Sequence, residues 1–176
     1  MGRLNEPVVF TRARRWAVFA AALAAVLLGP ALVAAHPLGN FIINHYAEVR
    51  IEPARLLLDV VIDQVEIAAF QARQDFDLNA DGAVSDEEIE AERSTACDEL
   101  APDLRLTADG ADVPLRNVEA GLSFPPGVGG LATLRLVCEY ESVLAAPIGA
   151  DPVRITFEDG SYPNRIGWRL QGRRSE

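Results

Sequence analysis

From Phe41 to Glu52 the chain reads FIINHYAEVRIE, and this stretch restricts the fold more than any other. Phe41, Ile43, His45, Ala47, Val49 and Ile51 fall on one side, and Asn44, Tyr46, Glu48, Arg50 and Glu52 on the other. Alternation with a period of two is the mark of a strand with one buried face. After Pro53, RLLLDVVID is apolar on both parities, as expected for a central strand covered on two sides. The period then changes. Val65, Ala69, Ala72 and Phe76 recur at helical spacing, and Ser85 to Leu100 forms a second helical pattern with Ile89, Ala96, Cys97 and Leu100 inward.

Strand signals return from Leu104. LRLTADGADVPLR places Asp109-Gly110 at a two-residue hairpin turn, and further strands are predicted around Gly121 to Phe124, Leu131 to Tyr140, Val153 to Phe157 and Arg165 to Leu170. Near the C-terminus, Asp159-Gly160 reads as another hairpin turn and Trp168 as a core anchor. About seven short strands without helical crossovers predict a mainly β, α+β fold: an antiparallel β-sandwich with a helical pair inserted at about residues 65–100 between the second and third strands.

The N-terminus has the parts of an export signal: Arg12, Arg14 and Arg15, the apolar run WAVFAAALAAVLL, then Gly29-Pro30 and small residues before His36. Cleavage after Ala35 leaves residues 36–176 as one domain in an extracytoplasmic setting: secreted, periplasmic or on the cell surface. An uncleaved leader would instead anchor the chain in the membrane. The leader holds four of the 16 basic residues and one of the 26 acidic ones, which leaves 12 against 25, a net of −13. Such a chain repels polyanions and attracts cations, so no nucleic-acid partner is expected.

Outside the cytoplasm, the two cysteines are read as a disulfide. Cys138 shares its strand face with Leu134, Leu136 and Tyr140, and Cys97 lies on the apolar side of the second helix, so the bridge would clip that helix to that strand. PPGVGG, residues 125–130, lacks the Gly-Lys-Ser/Thr ending of a phosphate cradle and is read as a plain loop.

Between the helical patterns stands DLNADGAVSDEE. Oxygen donors occur at Asp77, Asn79, Asp81, the Ala83 carbonyl, Ser85 and Glu88, with Gly82 where the chain must turn sharply. A hard cation of calcium's size takes six to eight oxygens, and this order supplies them. The segment resembles an EF-hand, and the resemblance implies calcium. The competing reading is an acidic loop leading into a helix capped by Ser85 and Glu88, which requires none of Asp77, Asn79 or Asp81. The only methionine is Met1 and no second loop of this kind occurs, so a structural ion is expected rather than a sensor, with an affinity of about 10⁻⁴–10⁻³ M.

Cleavage after Ala35 would expose His36 as an N-terminal amine and imidazole, to which His45 could add a third nitrogen. That set suits nickel, cobalt or copper. The plainer reading makes His45 a hydrogen-bonded core histidine. HPLGNFIINHY (36–46), DQVEIAAFQ (63–71) and NRIGWR (164–169) resemble the extracytoplasmic N-terminal domain of bacterial high-affinity nickel/cobalt transporters. No apolar span long enough for a permease follows the leader, so the resemblance implies an accessory metal-handling role beside a membrane permease, or a detached copy of such a domain. With two histidines, no lysine and both cysteines paired, no nucleophile and base arrangement emerges, and the expectation is a non-enzymatic chain.

Overall fold

The computed structural model describes residues 12–28, 41–167 and 169–175. The chain divides into two units, Met1–Pro37 and Leu38–Glu176. In the first, Arg12–Leu28 forms helix α1, a 17-residue run dominated by alanine and leucine, both strong helix formers. No helix among the described residues is long and apolar enough to cross a membrane. The cleavage site at Ala35, the residue His36 and Trp168 lie outside the described residues.

The second unit is α+β, mostly sheet. Its elements are β1 (Ile43–Ile51), β2 (Arg55–Gln64), α2 (Glu66–Phe76), α3 (Asp86–Leu100), β3 (Leu104–Ala108), β4 (Ala111–Asp112), β5 (Arg116–Ser123), β6 (Leu134–Val143), β7 (Ile155–Asp159) and β8 (Arg169–Ser175). A five-stranded sheet has the order β5-β6-β2-β1-β8, and a three-stranded sheet the order β4-β3-β7. The helical pair enters between the second and third strands, as its period indicated. The Asp109-Gly110 hairpin forms with both residues at positive φ, 50° and 82°.

Two expectations need correction. β2 is the central strand, but only one of its faces is sealed. Leu56, Leu58, Val60 and Ile62 are fully buried, whereas Leu57, Asp59, Val61 and Asp63 are half-buried. The outer face is closed by ion pairs instead: Arg50 holds Asp59 through two bonds of 3.0 Å, and Arg135 holds Asp63 through two of 2.7 Å. Secondly, the large sheet is not wholly antiparallel. β8 lies parallel to β1, with His45 opposite Arg169. A parallel pair needs a long crossover, and here everything from β2 to β7 serves as one.

The core lies between the inner face of the large sheet, the helical pair and the small sheet. Leu134, Leu136, Cys138 and Tyr140 of β6 all point inward, on the face that the alternation assigned to them. Cys97 and Cys138 are bonded, with both residues completely buried. Beside the bridge, the Tyr140 hydroxyl donates to the Cys97 carbonyl at 2.6 Å, a second tie between α3 and β6. Burial raises the Tyr140 phenol well above its ordinary range, so it remains a donor.

Candidate functional site

The loop between α2 and α3 is built from its own side chains. Asp77 Oδ1 and Oδ2 accept from the backbone N–H groups of Asp81 and Gly82, at 3.1 and 2.8 Å. Asn79 Oδ1 accepts from Asp81 N and Asp81 Oδ1 from Ala83 N, both at 2.8 Å. Side chains that accept from amides two to five residues ahead tighten a loop without secondary structure. Ala80 and Gly82 take the left-handed backbone conformation, with φ of 58° and 86°. Gly82 has no Cβ to strain there, and its carbonyl accepts from the Arg73 guanidinium on the last turn of α2.

The exit is a complete capping box. Ser85 Oγ accepts from Glu88 N, while Glu88 Oε2 accepts from Ser85 N at 2.9 Å and Glu88 Oε1 from Asn79 N at 3.2 Å. The bond from the Ser85 amide, with those from the Ser85 hydroxyl and Asn79, outweighs burial and holds the Glu88 carboxyl below its ordinary range. Three acidic residues in the first turn, Asp86, Glu87 and Glu88, suit the positive end of the helix dipole.

The six oxygen-donor positions named from the sequence run from the turn, Asp77 to Ser85, into the first turn of α3, where Glu88 stands. They do not converge as a ready cage. Among the described residues, no three His, Cys, Asp or Glu side chains are grouped to hold a metal ion. Their oxygens are aimed at the loop's own amides, and Glu88 serves the cap. The donor chemistry still fits a hard cation: an ionised carboxylate has about four lone-pair directions, and the bonds to backbone occupy only some of them. Asp77, Asn79, Asp81, Ser85, the Ala83 carbonyl and Glu88 are the groups that would hold calcium.

The histidine reading has a different outcome. His45 is 5% exposed, and its Nδ1 lies 2.6 Å from Asp159 Oδ2. Ser161 Oγ donates to Asp159 Oδ1 at 2.6 Å, Ser161 N donates to the same oxygen at 2.9 Å, and Arg169 approaches it at 3.1 Å. The ring of Tyr162 packs edge-on against the imidazole, 5.7 Å away. Burial alone would raise the Asp159 carboxyl, but the hydrogen bonds from His45 and Ser161 outweigh it and hold it at about 2. Although Ser, His and Asp meet here, the hydroxyl bonds to the carboxylate and faces the same ring nitrogen, 3.3 Å away, that the carboxylate uses. A nucleophilic relay requires serine and carboxylate on opposite nitrogens.

Reading Asp159-Gly160 as a hairpin turn is thus corrected. β7 pairs with β3 and β8 with β1, so the two strands flanking it belong to different sheets. Asp159 and Ser161, with buried side chains, and the exposed Arg169 form a polar cluster that the sequence did not reveal. The one available signal was His45 on a buried strand face, which required a buried acceptor without saying which.

No protein-family model matches the sequence, and no curated protein or solved structure matches it.

Proposed function

We propose that this is an exported, non-enzymatic calcium-binding domain. Its two sheets pack as a β-sandwich, and the EF-hand loop from Asp77 to Glu88 holds an ion that fixes the inserted helices. The observation that carries the reading is the loop's conformation: positive φ at Gly82 together with Asp77, Asn79 and Asp81 all turned onto the loop's own amides. A helix cap alone uses Ser85 and Glu88 and gives no reason for the three acceptors before them. Export is supported by the leader pattern and by the Cys97–Cys138 bridge, which persists in an oxidising compartment.

The test is the thermal unfolding midpoint of the disulfide-intact protein across calcium from chelated to several millimolar, with a parallel nickel series. At a hundred times its dissociation constant, calcium should add about 2.7 kcal/mol. An unchanged midpoint at several millimolar calcium overturns the reading. A rise with nickel alone would favour a transition-metal handling module for a membrane permease, with His36 and His45 as its candidate ligands.

A further inference from the structure

A cleft of about 700 Å³ opens between α2, α3 and the inner face of the large sheet, within the size range of small-molecule sites. Its floor is apolar and buried, formed by Ile43, Ala68, Leu100, Leu134 and Leu136. Its rim is acidic, with Asp75 from α2, Glu92 and Glu99 from α3, and Asp103 just beyond. The rim's one basic group, Arg165, donates to Gln71 at 3.1 Å.

Two observations set this cleft apart from an ordinary solvated face. On the opposite side of the sheet, Asp59, Asp63 and Glu141 are each held by an arginine. Among the described residues, none of the four rim carboxylates has an ion pair or a side-chain hydrogen bond. The second observation is Gln64. Its side chain lines the cleft at 5% exposure, and its one hydrogen bond among the described residues is to the Tyr162 hydroxyl at 3.5 Å, the outer limit for such a bond. Burial keeps the Tyr162 phenol protonated, and the charges of Asp103, Asp159 and Asp75 reinforce it.

We infer that the cleft binds a small organic cation, an amidinium, guanidinium or ammonium group on a compact apolar body. The body rests on the aliphatic floor, and the N–H groups reach the Gln64 carbonyl and the rim carboxylates. An anion is repelled by the rim, and a hydrated metal ion leaves the floor unused. The site is distinct from the calcium loop, although α2 and α3 flank both.

The probe is benzamidine, titrated calorimetrically into the full, disulfide-intact chain both with a chelator and with several millimolar calcium, so that loss of the ion's support for α2 and α3 is told apart from absence of the site. Benzamide, its uncharged counterpart of nearly the same shape, is the control. Saturable benzamidine binding, about tenfold weaker for benzamide and about threefold weaker in each of Glu92→Gln and Glu99→Gln, is the expected result. Both substitutions lie at the rim and leave the floor intact, and amide and methyl signals of Ala68 and Leu136 should move on titration. The inference is overturned by the absence of saturable binding both with and without calcium, by equal affinity for benzamide, or by undiminished affinity in both variants.

Discussion

His45 Nδ1 and Asp159 Oδ2 are 2.6 Å apart, yet they belong to strands in different sheets and are separated by 114 residues in sequence. The pair is the polar pin between the five-stranded and three-stranded sheets, and both side chains are less than 5% exposed.

Acid should draw this pin. The Asp159 carboxyl sits at about 2 in the folded protein against an ordinary 3.8, so the folded state favours its charged form. Its contribution is therefore complete above about pH 4 and lost as pH falls through about 2, some 1–2 kcal/mol after allowance for screening. Asp159→Asn should cost about that much in urea unfolding at pH 7, with the gap to the parent protein closing towards pH 2. An equal gap at both pH values would show that His45, Ser161 and Arg169 do not depend on the charge.

Breaking the Cys97–Cys138 bridge should be expensive. It joins residues 41 apart, and releasing a loop of that size costs about 4 kcal/mol in the chain-entropy estimate. Urea unfolding with and without a reductant measures this, and a Cys97→Ala, Cys138→Ala double variant should match the reduced protein. A difference below about 1 kcal/mol would mean that the Tyr140 hydroxyl on the Cys97 carbonyl fixes α3 unaided.

Ser85 and Glu88 share one cap but should separate in a calcium titration. Ser85→Ala removes an N-cap and should lower stability by about 1 kcal/mol without calcium, and should weaken calcium binding less than a change at Glu88 does. Glu88→Gln removes the carboxylate at the loop's last position and should weaken calcium binding by about tenfold or more. Equal calcium affinity in parent and Glu88→Gln would reduce the loop to a capped turn.

Two glycines should respond to alanine in opposite degrees. At Gly82 a Cβ meets nothing within 4 Å, so only the φ of 86° is strained, worth about 1 kcal/mol. At Gly167 a Cβ would lie 1.6 Å from the Ile43 carbonyl oxygen, where the chain enters β8 beside β1. Gly167→Ala should cost more than about 3 kcal/mol or prevent folding, read as loss of the cooperative unfolding transition.

What could be read from the sequence was local. The α3 start followed from Ser85 and Glu88, the hairpin from Asp109-Gly110, and the inward face of β6 from its alternation. All of these depend on neighbours within a few residues. Asp159 was beyond reach because its partner lies 114 residues upstream, and a buried histidine's need for an acceptor does not name one. RLLLDVVID misled for a related reason: apolar residues on both parities do not reveal that Arg50 and Arg135 cover the second face. The cleft was equally hidden, since Gln64, Glu99 and Tyr162 meet only through the packing of a helical pair on a sheet.

The parallel pairing of β1 with β8 also governs how the domain is made. β1 can zip to β2 as soon as both exist, but its other edge waits for a strand synthesised more than a hundred residues later. Until that strand arrives, Ile43 to Ile51 presents bare amide and carbonyl groups to any extended chain nearby. Closure through so distant a contact is slow, and the half-built sheet is the species most exposed to mispairing. The open edge of β1 is therefore the point at which mispairing would begin while the chain is being made.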